Sequence, residues 1–230
     1  MASPRPPAVA GAARVSLDTV ELAGQAPWSF ASPVTPGLAL SELVVAGLLR
    51  RGDVRFVERR RFAAAALAEE RGERRPAGAP PAGVSEGAEL LASVVWVPLP
   101  TGSSIEVRLT EAARGAVVGS RRASIPAGSD IVATARTVVR TLLAALESVG
   151  RLPAWTDPLG SAATGQAAGS GVPDRAVESF LRGLAAEESW RWEAARASYQ
   201  DAAESVGFFE AEAALARAAR LRLGGTLGES

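Results

Sequence analysis

Hydrophobic and polar residues alternate along several stretches of the chain, a period of two that is typical of β-strands. The first stretch is Val15–Leu22, and a shorter one rich in strand-forming residues is Val54–Glu58. Three more follow in close succession at Leu90–Val97, Ile105–Thr110 and Val117–Ile125, with turn residues between them. The pattern therefore predicts two separate strands followed by a three-stranded β-meander.

Other stretches repeat hydrophobic residues every three to four positions, as amphipathic helices do. One predicted helix begins near Leu38, and a second spans Arg59–Gly72. A long third helix follows Ser129 or Asp130, either of which would cap its first turn. The meander is antiparallel and helices precede and follow it, so residues 14–150 are predicted to form an α+β domain with helices packed on a mixed or antiparallel sheet.

A small all-α unit is predicted near the C-terminus. It follows a stretch rich in glycine, proline and alanine, a composition typical of linkers. Its three predicted helices lie at about 174–188, 191–205 and 208–223. The predicted organisation is a flexible N-terminus, the α+β domain, the linker, the helical unit and a tail: residues 1–13, 14–150, 151–173, 174–224 and 225–230.

The composition removes most of the side chains that enzymes use. Among 230 residues there is no cysteine and no histidine, and all 25 cationic side chains are arginines. Nucleophilic triads, disulfides, P-loop lysines and Schiff-base lysines are therefore excluded, and tetrahedral zinc sites nearly so. We expect a protein that is not an enzyme, with no catalytic residue, no cofactor and no metal site.

Carboxylate chemistry is the catalytic class that stays open, as a distant alternative in which the protein is a carboxylate-based hydrolase. The adjacent pairs Glu69/Glu70 and Glu187/Glu188 would point about 100° apart on a helix, so neither pair could act across one substrate. We therefore predict that these four glutamates are surface residues.

Aromatic and arginine residues supply the candidate protein-binding residues. The aromatic cluster of the helical unit lies mostly at helical spacing and is predicted to form its core, which leaves Trp190 and Phe209 as candidate exposed contacts. The run Arg59, Arg60 and Arg61 is the second candidate. Acidic side chains nearby offset much of its charge, and the whole chain has a formal net charge of zero, so we expect no nucleic-acid partner.

Two compartments stay open. Residues 8–13 form an alanine-rich patch that is too short for a secretory signal, and the chain has no cysteine that could be acylated as in bacterial lipoproteins. No apolar run approaches the ~20 residues that a membrane-spanning helix needs. We expect either a cytoplasmic protein or an exported one whose signal lies outside this chain, and peripheral association with a membrane is compatible with both.

Short segments within residues 14–150 resemble a known domain. They are a leucine-rich helix, a short strand, a second helix and two later strands: Leu43–Leu49, Phe56–Arg59, Phe62–Glu69, Gly87–Leu91 and Ile105–Val117. Their order resembles the amino-terminal domain shared by the curli production assembly and transport component family (CsgG-like) and by TolB. The resemblance implies helices packed on one sheet and a non-catalytic assembly or secretion role at the bacterial envelope, on its periplasmic side.

The C-terminal unit resembles a single tetratricopeptide repeat (TPR). The small and aromatic positions that pack its two helices match the repeat: Gly183, Trp192, Ala195, Tyr199 and Ala202. It departs from the repeat where Gly207 replaces the terminal proline and where the early aromatic is displaced to Phe180. Because one repeat buries too little surface alone, it should dock on the α+β domain, on another copy or on a partner.

These observations favour a non-enzymatic accessory or assembly subunit of a bacterial envelope complex that acts by protein–protein interaction. The expected partners are proteins, either further copies of this chain or the other members of a larger complex. The alternative is a cytoplasmic scaffold or regulatory module that binds its partner through the TPR-like unit.

Overall fold

The computed structural model describes residues 13–50, 54–56, 88–152 and 169–226. Within these residues the strands are β1 (Ala13–Leu17), β2 (Glu21–Leu22), β3 (Val54–Phe56), β4 (Leu90–Leu99), β5 (Gly102–Glu111) and β6 (Val117–Pro126). The helices are α1 (Pro36–Leu49), α2 (Ile131–Ser148), α3 (Asp174–Glu188), α4 (Trp192–Ala203) and α5 (Phe209–Thr226). The helix predicted at 59–72 and most of the predicted linker lie outside the described residues.

The strands form one mixed sheet. Its order is β3-β1-β4-β5-β6, and β2 pairs with β4 beside β1. β1 runs parallel to both of its neighbours, whereas β4, β5 and β6 form the predicted antiparallel meander, in which Val107 lies between Val94 and Arg121. The fold class is therefore α+β, as predicted.

The first predicted strand is wrong as a single element. The segment Val15–Leu22 contains most of β1 and, after a short break, β2. The Asp18 N–H still donates to the Ala92 carbonyl (3.0 Å), but the Val20 N–H donates to Ser41 Oγ on α1 (2.7 Å). Because a helix side chain accepts from this backbone donor, the ladder stops there and resumes at β2.

The core lies between the sheet and the two helices α1 and α2. Alternate residues of β4 and β5 are buried there: Leu90, Ala92, Val94, Trp96, Ile105, Val107 and Leu109. Of the two predicted caps for α2, the structure selects Asp130, whose Oδ1 accepts from the Ala133 N–H (2.7 Å). The observed start of α1 at Pro36 follows an equivalent cap by Thr35.

The three C-terminal helices form where they were predicted, within a few residues. Phe180, Tyr199 and Phe208 are fully buried between them, and neighbouring ring centroids lie 5.5 and 5.6 Å apart, so the aromatic core predicted at these three positions is confirmed. Trp192, also predicted to lie in this core, is only half-buried. Gly183 allows α4 to approach α3 closely, because a Cβ at this position would lie 2.6 Å from the Tyr199 ring. The close helix packing predicted at Gly183 is therefore present.

The helical unit packs on the N-terminal part of the same chain, the first of the three docking alternatives. α5 contacts α1, and ion pairs join α5 to both α1 and α2. The division into a domain, a linker and a helical unit stays a prediction. In the part of the chain that the structure describes, we find no helix with the length and hydrophobicity needed to cross a membrane.

Candidate interaction surfaces

The C-terminal end of α3 has a tryptophan where glycine is usual. The Arg191 N–H donates to the Ala186 carbonyl (2.9 Å) and the Trp190 N–H to the Glu187 carbonyl (3.0 Å), the pair of bonds that defines a Schellman motif. Trp190 occupies the left-handed position of this motif with a φ of 58°. A non-glycine residue in this conformation costs about 1–2 kcal/mol, so glycine would be less strained here.

Trp190 packs against Trp192 at the same turn. The ring centroids lie 5.6 Å apart with planes at 85°, an edge-to-face arrangement that aromatic pairs favour. Both side chains are half-buried, so each ring keeps part of its surface accessible. We call this pair the tryptophan turn. Tryptophan is enriched among the residues that contribute most to binding at protein interfaces. The contact predicted at Trp190 stays a prediction, and the structure places Trp192 beside it.

Phe209, the other predicted aromatic contact, lies half-buried at the start of α5. The guanidinium carbons of Arg50, at the end of α1, and of Arg136, on α2, each lie 4.2 Å from its ring centroid. Such cation–π contacts contribute about 0.5–1 kcal/mol each at exposed sites. The Phe209 ring therefore joins α5 to two helices of the N-terminal part, and its role as a partner contact stays a prediction.

Arg136 makes a second connection to α5. Its Nε and Nη2 donate to the two carboxylate oxygens of Glu210 (2.9 and 3.1 Å), and Nη2 also donates to the Gly207 carbonyl (2.5 Å). The Glu210 side chain is 1% exposed. A bidentate arginine fixes the orientation of a carboxylate, so this pair sets the position of the first turn of α5 on α2.

A buried charge network at the middle of α5 joins four helices: α1, α3, α4 and α5. Arg217 Nη1 donates to Glu42 Oε2 on α1, and Arg217 Nη2 donates to Glu187 Oε2 on α3, each at 3.0 Å. The Tyr199 hydroxyl on α4 donates to the same Glu187 oxygen (2.6 Å). We call Glu42, Glu187, Tyr199 and Arg217 the buried network. It ties all three C-terminal helices to α1.

The prediction that Glu187 is a surface residue is wrong, whereas Glu188 is exposed as expected. Glu187 is buried because Arg217 and the Tyr199 hydroxyl compensate its charge. The spacing of the apolar residues contained a signal, because Val177, Phe180 and Leu184 repeat every three to four positions and the next position on that face is 187. The prediction was wrong because it followed the charge of glutamate rather than the helical spacing of the apolar residues.

The other candidate sites have less structural support than the surfaces described above. Arg59, Arg60 and Arg61, predicted as protein-binding, lie outside the described residues, as do Glu69 and Glu70. In the described ranges, no group of three or more acidic residues is placed to hold a metal ion. One open depression is lined by polar and apolar side chains with no ionisable group among them: Gln25, Ala26, Pro27, Trp28, Ser29 and Pro36.

No model of a known protein family matches this chain, and no curated protein matches it. Among solved structures, the C-terminal domain of LpoB from Salmonella enterica is 12% identical with a TM-score of 0.34, over 51% of this chain and 85% of that one. The hypothetical protein CT253 from Chlamydia trachomatis is 12% identical with a TM-score of 0.36, over 60% of this chain and 96% of that one. Lipoprotein GNA1162 from Neisseria meningitidis is 12% identical with a TM-score of 0.32, over 59% and 98%. These likenesses transfer no residue role and no function to this chain.

Proposed function

We propose that this protein is a non-enzymatic assembly subunit of a bacterial envelope complex, which binds a partner protein through the tryptophan turn. One observation carries the proposal: Trp190 occupies a left-handed helix-end position with a φ of 58°, where glycine would be less strained. Strained backbone at a surface is often retained for a functional reason. Here the left-handed conformation places a large aromatic ring at the α3–α4 turn.

The resemblances described above belong to this proposal. The order of strands and helices in the described part of residues 14–150 supports a CsgG-like or TolB-like domain, and such domains work in envelope assembly. The packing of Gly183 against Tyr199, with Ala195 and Ala202 fully buried, supports a TPR-like unit. TPR-like helices bind proteins, so both resemblances favour a binding role, and the CsgG-like or TolB-like resemblance favours the periplasmic side.

The compartment is tested by fractionating cells of the source bacterium that carry a tagged copy of the native gene. Recovery with the envelope or periplasm supports the proposal. Recovery only in the cytoplasm would contradict it and favour the cytoplasmic scaffold.

The contact is tested by placing a photo-crosslinking amino acid at position 190 in living cells. We expect a discrete crosslinked protein that is absent when the same amino acid is placed at Arg196, an exposed position on α4. The Trp190→Gly variant should keep its stability within about 1 kcal/mol, because relief of backbone strain offsets lost ring packing. The same variant should lose the partner on co-purification. Full retention of every partner by Trp190→Gly would refute the assignment.

A further inference from the structure

β6 is an exposed edge of the sheet. Among the described strands, it pairs with β5 on one side and with nothing on the other. Val117 and Val118, at its N-terminal end, are 62% and 42% exposed, and most of the strand is accessible beyond them. A long accessible edge presents backbone donors and acceptors to which an extended chain can add as a further strand.

The middle of β6 is positively charged. Arg121 and Arg122 are adjacent, so they lie on opposite faces of the sheet, and β6 itself has no acidic residue. Arg122 is matched by Glu106 on β5 (2.6 Å), which also pairs with Arg108. Within the described part of the chain Arg121 makes no ion pair, so one cation of this edge is left without a partner.

The charge of Glu106 does not offset Arg121. Hydrogen bonds from Arg108 and then from Arg122 hold the pKa of the Glu106 carboxyl below its usual value, so this carboxylate is ionised and shared between those two cations. Arg121 lies opposite Val107, on the other face of the sheet from Glu106. The edge therefore has a net positive charge near its centre.

A second copy of this chain fits the edge poorly. Consider two β6 strands that pair antiparallel in one continuous sheet, so that residues opposite each other lie on the same face. When the strands are paired about their centres, either Arg121 lies opposite Arg121 of the second copy or Arg122 lies opposite Arg122 of the second copy. Like charges that face each other across a strand pair are destabilising. The two arginines therefore act against edge-to-edge self-association, a common role of charged residues on edge strands.

We propose that β6 binds an extended acidic segment of a partner protein, which adds to the sheet as an antiparallel strand. This inference rests on the proposed function, because it assumes that the chain acts by binding proteins. Two adjacent acidic residues of the segment would face Arg122 and Arg121, one on each face of the sheet. Apolar residues further along would cover Val118 and Val117. Main-chain hydrogen bonds would supply affinity, and the arginines would select the charge.

The test uses the full chain and a fluorescent synthetic peptide in which two adjacent glutamates precede two adjacent valines, with two threonines between the pairs. Fluorescence anisotropy at about 0.1 M salt, where the Debye length is about 10 Å, should show saturable binding. A peptide with lysines in place of the glutamates should bind about tenfold more weakly. The Arg121→Glu variant should lose the preference for the acidic peptide or reverse it, and binding of the lysine peptide would show that this variant is folded.

Two controls separate strand addition from general charge attraction. Arg196→Glu makes the same change in net charge on α4, and it should leave binding unchanged within about twofold. Two methylated versions of the acidic peptide are made, each methylated on one of the two alternating sets of backbone nitrogens. Each version therefore lacks the N–H donors on one edge of the extended peptide. Only one of the two methylated peptides should lose affinity, since alternate residues of an added strand face β6.

The inference is overturned if the acidic and lysine peptides bind equally, if neither binds, or if Arg121→Glu and Arg196→Glu weaken binding alike. It is also overturned if both methylated peptides bind as well as the parent. None of these results bears on crosslinking at position 190 or on cell fractionation. The proposed function and this inference can therefore fail separately.

Discussion

Removing Arg217 is the most direct test of the buried network. In Arg217→Met the side chain keeps much of its length and loses its charge. Glu187, whose side chain is 2% exposed, then keeps the Tyr199 hydroxyl but loses the arginine bonded to it, and Glu42 loses its partner on α5. The result is a buried carboxylate whose charge is no longer compensated by Arg217.

The expected cost follows from the distances and the burial. Each of the two ion contacts, at 3.0 Å, has a gross Coulomb energy of about 5 kcal/mol at an effective dielectric constant of about 20. The desolvation of the same charges offsets most of this, so the intact network adds little net stability. Breaking it by removing one partner typically costs about 3–5 kcal/mol, and we expect a loss in that range.

The assay is equilibrium unfolding in urea, followed by far-UV circular dichroism and by tryptophan fluorescence. Arg182→Met is the matched control, because Arg182 pairs with Asp201 at side-chain exposures of 65% and 61% and should cost less than about 1 kcal/mol. Adding Glu187→Gln to Arg217→Met removes the buried charge that Arg217 balanced and should recover part of the lost stability. A loss below about 1 kcal/mol, or no recovery in the double variant, would refute the argument.

Three further predictions concern single contacts and use the same unfolding assay. Tyr199→Phe removes the hydroxyl bonded to buried Glu187 and should cost about 1–3 kcal/mol, and a neutral result would mean that water replaces it. Gly183→Ala forces a Cβ against the Tyr199 ring and should cost about 1–3 kcal/mol, and full stability would show that α4 can move away. The lowered pKa of Glu106 means that its ionised form stabilises the fold, and this contribution is lost as the pH falls through the folded pKa. Glu106→Gln should therefore be less stable than wild type at neutral pH but not in acid, and an equal difference at both would contradict this.

Much of the fold could be predicted from local patterns. The meander followed from alternation in residues 90–125, because one face of β4 and β5 is buried and the other is not. A cap at Ser129 or Asp130 and the core position of the Tyr199 ring followed from spacing in the same way. These features depend on residues close in the chain, so a single sequence contains the signal.

The features missed are decided by contacts between distant residues. The break between β1 and β2 depends on Ser41, which takes the Val20 N–H from the sheet. Burial of Glu187 depends on Arg217, which also reaches Glu42, 175 positions away in the chain. Charged residues usually lie at the surface, so composition predicts exposure for them. The burial of Glu187 becomes evident only once α5 is docked on α1.

The use of charges at this helix contact has a consequence for the proposed surfaces. An apolar contact between α5 and α1 could slide by a helical turn at small cost, since hydrophobic burial is not directional. The observed contact cannot slide in this way, because a shift of one turn would leave Glu187, Glu210 and Arg217 buried without their present partners. The buried network and Arg136 therefore hold the tryptophan turn in one orientation relative to the sheet that ends in β6. A partner that contacts both the tryptophan turn and β6 would therefore bind surfaces whose relative orientation is already fixed. Its binding would require little loss of conformational entropy in this chain.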